Sequence, residues 1–279
     1  MQVGEKTIQI KLKMPFSATP SMNVYLVCGD EIALIDTGVG DRPSIETIYK
    51  QMESFGNLGM IINTHEHIDH IGGNAGIKMI TDSRIAAHKV AAPMIENPGA
   101  MSKRGIPPIK PSKVDEYLED NEIIDLGAAK LRVIHSPGHA PGHICLYNEK
   151  EKILFSGDNV LDTATTYVGS GSFGNMTEYL NSLHRLLKLD MKLILPAHGE
   201  IIESPYEKIM ESIDHKLERE REILELLGKG EKTVDELIIS IYKVRFPHFI
   251  RGAMIGYLEK LEREEKIVFK RENNKYKLK

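Results

Sequence analysis

The sequence predicts a layered α/β fold followed by a small helical domain. Three observations predict it. Short apolar, β-rich runs alternate with turns and amphipathic stretches through residues 1–204. From Pro205 the pattern changes to helical periods and a closing hairpin. Charge divides in a similar place, with 20 Lys and Arg against 28 Asp and Glu in residues 1–214 but 16 against 12 in residues 215–279. We therefore read a body at 1–204 and a second domain at 205–279. A chain of 279 residues, 41% hydrophobic and 27% charged, has the size and composition to bury a substantial core.

The elements follow in order. "TIQIKLK" (Thr7 to Lys13) alternates apolar and polar residues, as a half-buried strand does. "NVYLVCG" and "EIALIDTG" are strands joined through the turn pair Gly29-Asp30. Asp41 and Ser44 open an amphipathic helix that ends near Phe55-Gly56, and "GMIINT" is a buried strand. The run between His88 and Asp115 holds five of the chain's 13 prolines, which predicts an excursion over the body rather than core. "KLRVIHS", "HICLYN" and "KILFSGD" are three more strands, Thr177 to Leu189 a helix, and "MKLILPAHGE" a strand ending in a turn. Beyond it come a long charged helix (Pro205 to Leu227), "TVDELIISIY", "FIRGAMIGYLEKLEREE" and a hairpin around Asn273-Asn274. Three helices and a two-stranded wing are the order of a winged helix-turn-helix module.

Composition excludes several classes. The N-terminal stretch "MQVGEKTIQIKLK" has no apolar signal region, and no window reaches the ~18 apolar residues of a membrane span, so a cytoplasmic protein with no membrane partner is expected. Two cysteines in apolar strand-like runs, Cys28 and Cys145, read as buried thiols rather than a disulfide. The mildly basic tail is far weaker than a nucleic-acid-binding arm.

The chemistry concentrates in "IINTHEHIDHIGG", where His65, Glu66, His67, Asp69 and His70 follow directly on a strand. Strand ends of layered folds collect sites because loops converge there. Imidazoles and carboxylates at this spacing suit zinc, and also iron or manganese; without a cation, so many inward polar groups would be costly to desolvate. Other strand ends offer His135, His139 and His143, then Asp158, then His198.

The set HEHIDH, PGHAPGH, SGD and PAHGE, in that order, resembles the metallo-β-lactamase fold superfamily. The C-terminal helices look like the winged-helix segment of the branch that includes lactamase-like endoribonucleases and glyoxalase II-like hydrolases. The resemblance implies an αββα sandwich holding two divalent metal ions, zinc in the first instance with iron or manganese as alternatives. His65, His67 and His139 would hold one ion and Asp69, His70 and His198 the other, with Asp158 bridging. Asp69 would also orient the nucleophile, His143 would serve beside the ligands or on the substrate side, and Asp36 would help fix the imidazoles. His135 would be structural.

The activity implied is hydrolysis, a hydroxide formed from a shared water of pKa ~7 attacking an ester or thioester of a small molecule. Against the glutathione thioesterase itself, AHGE lacks that enzyme's aromatic after the histidine. A phosphodiesterase acting on single-stranded RNA is the alternative, opposed by the acidic body. A metal-sensing DNA-binding regulator is a third reading, with Arg245, Arg251 and Lys260 as its basic candidates. Lactam hydrolysis finds no cysteine near Asp158, and Tyr167 stands at a spacing unlike the lactonase pattern. The second domain reads as a structural, docking or dimerising appendage, with a homodimer possible, or as a nucleic-acid-binding module; the sequence leaves the two open.

Overall fold

Alternation in Thr7–Lys13 builds β1, which runs antiparallel to β2 (Ser21–Cys28) in the register Thr7 opposite Val27 to Lys13 opposite Ser21. The computed structural model describes residues 1–14, 20–101, 109–162, 165–244 and 250–279. These form two units: Met1–Ser136 with Gly142–Ala164 and Leu189–Pro205, and Pro137–Pro141 with Thr165–Lys188 and Tyr206–Lys279.

In the first unit, β2 is followed by the antiparallel β3 (Ile32–Ile35) and then by parallel β4 (Leu58–Asn63), β5 (Arg84–His88) and β6 (Glu116–Leu118), one sheet in chain order. Helix α1 (Arg42–Met52) starts where the Asp41 carboxylate accepts the Ser44 N–H at 3.3 Å, with proline in its first turn. The one-turn α2 (Ile68–Ile71), α3 (Asn74–Thr81) and α4 (Ala92–Glu96) follow. Ile48, Met52, Ile77 and Ile95 from these helices pack with Leu12, Val24, Leu34 and Ile61 of the sheet.

A second sheet has the order β11-β10-β9-β8-β7, from β7 (Ile123–Asp125), β8 (Lys130–His135), β9 (Ile144–Asn148), β10 (Ile153–Gly157) and β11 (Leu193–Pro196). Only β10 and β11 pair in parallel. Its inner face sets Val133, Leu146, Phe155 and Leu195 against Tyr25, Val27, Ile35 and Ile62 of the first sheet, Tyr25 meeting Phe155 edge-on at 5.4 Å between centroids. The unit is thus helix on sheet on sheet. Each fully buried large aliphatic or aromatic side chain here contributes roughly 1.5–3 kcal/mol. A slip of one residue would turn the inner face outward, so burial also sets the strand register.

The second unit holds α5 (Met176–Leu186), capped by the Asn175 side chain, then α6 (Pro205–Gly228), α7 (Val234–Tyr242) with its Thr233/Glu236 capping box, and α8 (Arg251–Arg263). The hairpin β12 (Ile267–Lys270) and β13 (Lys275–Leu278) turns through Asn274 at φ +55°. The partition departs from the sequence boundary at 204, because residues 137–141 and 165–188 pack with these helices. Lys216 of α6 lies 5.6 Å over the Tyr179 ring, a contact local patterning cannot reveal.

The proline-rich run differs from expectation at its ends. Ala91, Ala92, Ile95 and Val114 are core residues, since one helical turn gives the "AAPMI" stretch an apolar face. Residues 102–108 of that run lie outside the described residues, as does Arg245. Cys28 is half-buried, Cys145 is buried, and they form no disulfide. Among the described residues no helix is long and apolar enough to cross a membrane.

One pH effect arises in the first unit. His88 is buried at the end of β5, stacked on His135 at 3.9 Å, its Nδ1 accepting the Val90 N–H. Burial first, and then the charges of His135 and Lys89, push its pKa down to about 4, with Asp120 and Glu119 acting weakly the other way. An unfolded histidine titrates near ~6.5. Between those values the unfolded chain holds the extra proton, so stability is complete above that window and falls as pH drops through it. His88→Gln is expected to lose less stability than the wild type between neutral pH and about 4.5, read as the shift in urea midpoint. Equal losses in the two proteins would remove the assignment.

Candidate metal centre

The candidate ligands and their anchors stand just past the C-terminal ends of strands of the first unit: Asp36 after β3, Thr64 and His65 after β4, Asp158 after β10, and His198 after β11 and Ala197. Parallel pairing of β3 with β4 and of β10 with β11 brings those ends into register in each sheet. The segment after β4 turns at once into α2, which puts Asp69 and His70 one turn away from His67. That turn is held by Thr37, whose N–H donates to the His70 carbonyl at 2.9 Å, and Asn63 Nδ2 lies 3.4 Å from the same oxygen.

Asp36 anchors the cluster. It is 2% exposed and sits at φ +59°, a conformation that strains a non-glycine residue. Its carboxylate accepts the Thr64 N–H and the Thr64 hydroxyl, each at 2.8 Å, and stands 2.8 Å from His70 Nδ1. The proton of His70 therefore resides on Nδ1, and Nε2 carries the lone pair. The Thr64 hydroxyl, having donated to Asp36, can only accept from His65 Nδ1 at 3.1 Å, which sets the same tautomer there. His198 Nδ1 donates to the Ser21 carbonyl at 3.0 Å, again leaving Nε2 as the inward donor atom.

These lone pairs converge on carboxylates. His70 Nε2, fully buried and without a hydrogen-bond partner, lies 3.5 Å from Asp158 Oδ1 and 3.9 Å from Asp69 Oδ2. His198 Nε2 lies 3.3 Å from Asp69 Oδ2 and 3.6 Å from Asp158 Oδ1. Lone pairs facing anionic oxygens repel unless a proton or a metal cation lies between them. The donor set fits a divalent ion: His65, His70 and Asp158 form one group, and Asp69, His70 and His198 another, each with one ligand atom per residue within 4.8 Å of the others. His67 lies beside them, its Nδ1 2.9 Å from His65 Nε2.

The titrations reflect the same crowding. Burial alone would raise the Asp69 carboxyl, but the His70 charge and the His198 hydrogen bond overcome it and hold its pKa below the usual carboxylate range. For His70, burial acts downward and is outweighed by Asp36, Asp158 and Asp69, so its pKa rises. His198 rises likewise, burial being overcome by Asp158 and Asp69.

The first unit therefore brings together His65, His67, Asp69, His70, Asp158 and His198, six of the seven ligand positions read from the sequence. The seventh, His139, belongs to the second unit, where it is buried with Nδ1 2.7 Å from the Tyr167 carbonyl. His143 is fully buried; its Nε2 accepts the Asp158 N–H at 3.1 Å and its ring lies 5.0 Å from that of His65. A Cβ at Gly157, which stands at φ +51°, would come within 2.6 Å of His143 Nε2, so the "SGD" glycine is needed for this contact. His135 stacks on His88, and the Tyr167 hydroxyl meets the Ala253 backbone. Sequence reasoning noticed Glu66 but assigned it no role. It is 2% exposed, its Oε2 makes no hydrogen bond, and burial pushes its pKa up to about 7.

Residues 21–198 match the family model described as the metallo-beta-lactamase superfamily. The chain is 31% identical to the beta-lactamase-like protein 2 homolog of Caenorhabditis elegans, over 87% of this chain and 77% of that protein. It is 28% identical to the atrochrysone carboxyl ACP thioesterase nsrC of Aspergillus novofumigatus, over 90% of this chain and 75% of the relative. In structure it is similar to a metallo-beta-lactamase family protein of Thermus thermophilus, with a TM-score of 0.82 at 24% identity, over 98% of this chain and 99% of the other.

Proposed function

Since the chain belongs to the metallo-beta-lactamase superfamily and is a metal-dependent hydrolase, we propose that it cleaves a small-molecule ester or thioester at a centre of two divalent ions. One ion would be held by His65, His67 and His139, the other by Asp69, His70 and His198, with Asp158 between them. The observation that carries this reading is the convergence of His70 Nε2 and His198 Nε2 on the oxygens of Asp69 and Asp158. Similarity to a thioesterase favours an acyl centre.

When bound, the ions lower the pKa of a water toward neutrality and polarise the scissile carbonyl. The residues do the rest. Asp36 and Thr64 fix the tautomers of His70 and His65, so their Nε2 atoms point inward without reorganisation. Asp69, whose carboxylate faces His70 and His198, would accept a hydrogen bond from the attacking water and orient it. His143 positions Asp158 by accepting its backbone N–H.

For the C-terminal module we propose a winged-helix domain with a structural or dimerising role. Of its basic candidates, Lys260 is buried in a pair with Glu220 and Arg251 is paired with Asp235, which weakens both the DNA-binding and the RNA-cleaving alternatives.

The test is metal analysis of the purified chain for zinc, iron and manganese, with a panel of a generic thioester, bis-nitrophenyl phosphate, a lactone and single-stranded RNA. Metal-dependent thioester turnover above all other substrates is expected. Cleavage confined to the phosphodiester and RNA would replace this reading by the endoribonuclease one.

A further inference from the structure

We propose that the C-terminal helices set the third imidazole of the metal centre, with Lys216 as the positioning residue. The inference rests on the reading above that His139 is a ligand, and every contact it uses lies inside the second unit.

His139 Nδ1 donates to the Tyr167 carbonyl at 2.7 Å, so that oxygen fixes both the tautomer and the orientation of the ring. Tyr167 belongs to the segment 165–169, which has no regular secondary structure. The position of its carbonyl is therefore set by what packs against the segment. From α6, Lys216 Nζ donates to the carbonyl of the neighbouring Thr166 at 2.7 Å, and both residues are buried. From α8, two glycines one turn apart admit the segment closely. A Cβ at Gly252 would stand 2.3 Å from the Tyr167 hydroxyl, and one at Gly256 would stand 2.5 Å from the Gly169 carbonyl oxygen. The two helices are tied together by the ion pair of Lys260 with Glu220 at 2.8 Å, both side chains less than a tenth exposed.

A buried ammonium is costly to desolvate, and burial draws the Lys216 pKa down to about 8. A helix face that served packing alone would carry an apolar residue there. Lys216 instead spends its donor on the loop, one residue before the oxygen that holds His139. The appended helices thus act on the ligand loop as a rack, from α6 through a hydrogen bond and from α8 through close backbone approach.

The experiment uses the full-length chain, with zinc and ferrous iron as probes, in wild type, Lys216→Met, Lys216→Arg and Gly256→Ala. Metal affinities are measured by chelator competition, and melting of the metal-free proteins by circular dichroism. Lys216→Met is expected to keep the melting temperature of the metal-free chain and one ion at wild-type affinity. The second ion should weaken on the order of 10–100-fold, the usual effect of removing a group that orients a ligand. Lys216→Arg, which restores a donor, should recover part of that loss. Gly256→Ala presses on the same segment from the other side and should reproduce the selective loss; were Lys216→Met not to fold, it decides alone. Unchanged affinity for both ions, or an equal loss of both with a lower melting temperature of the metal-free chain, overturns the proposal. A wild-type chain that binds neither metal overturns the metal-centre reading itself, which keeps the two failures distinct.

Discussion

Asp158→Asn is expected to lower kcat/KM for the preferred ester or thioester on the order of 10³-fold, while the circular dichroism spectrum stays that of the wild type. The expected size follows from several kcal/mol of charge stabilisation at a metal site, at about 1.4 kcal/mol per tenfold. Asparagine keeps the shape of the side chain, and the backbone N–H that His143 accepts is untouched. What disappears is the negative charge standing 3.5 Å from His70 Nε2 and 3.6 Å from His198 Nε2. With the amide oxygen inward, the site loses one unit of charge; with the amino group inward, it offers a donor where a ligand is needed. Metal content should fall with activity in either case. If the variant turned over substrate normally with full metal occupancy, Asp158 would be an ordinary buried carboxylate and the shared centre would have to be abandoned.

The second large effect is on stability. Asp36→Ala should destabilise the fold by about 3–5 kcal/mol, the cost of leaving a buried polar partner uncompensated. Three contacts at 2.8 Å vanish together, those to Thr64 N–H, to the Thr64 hydroxyl and to His70 Nδ1, and all three groups are buried. Their combined worth also explains why an aspartate persists at φ +59° despite strain of roughly 1–3 kcal/mol. Against a typical stability of about 5–15 kcal/mol the loss is large, and urea denaturation will read it directly. Asp36→Asn separates packing from proton placement. Its amide oxygen can still accept from Thr64, but its amino group then faces His70 Nδ1 and drives the proton to Nε2. A milder destabilisation with weakened metal binding is expected. An Asp36→Asn protein with wild-type metal affinity would show that the tautomer of His70 is set elsewhere.

Much of this was readable in advance. The alternation of Thr7–Lys13, the Asp41 cap and the apolar runs before Thr64, Asp158 and His198 each became the expected element, because one buried face imposes its period on the chain. The short elements α3, β5, β6 and β7 left no distinct signal, since three to eight residues give periodicity too little length to register. The proline-rich run misled through composition: its prolines suggested an excursion, while Ala92 and Ile95 were already spaced to enter the core. Nothing in Lys216 marked it off from the other cations of a charged helix; only the contact with Thr166 and its burial distinguish it.

By itself the sequence determined which donor atoms were available and that they stand at strand ends, since residue type and local period are properties of the chain alone. Tertiary structure alone decided which ring nitrogen of His70, His198 and His139 carries the proton, because that depends on Asp36, Ser21 and Tyr167, residues remote in sequence from the histidines they hold. It alone also decided the division of the chain, where packing over long separations draws residues 137–141 and 165–188 to the C-terminal helices. Hydrogen-bond direction and long-range burial are set by what comes near in space, and spacing along one chain does not encode that.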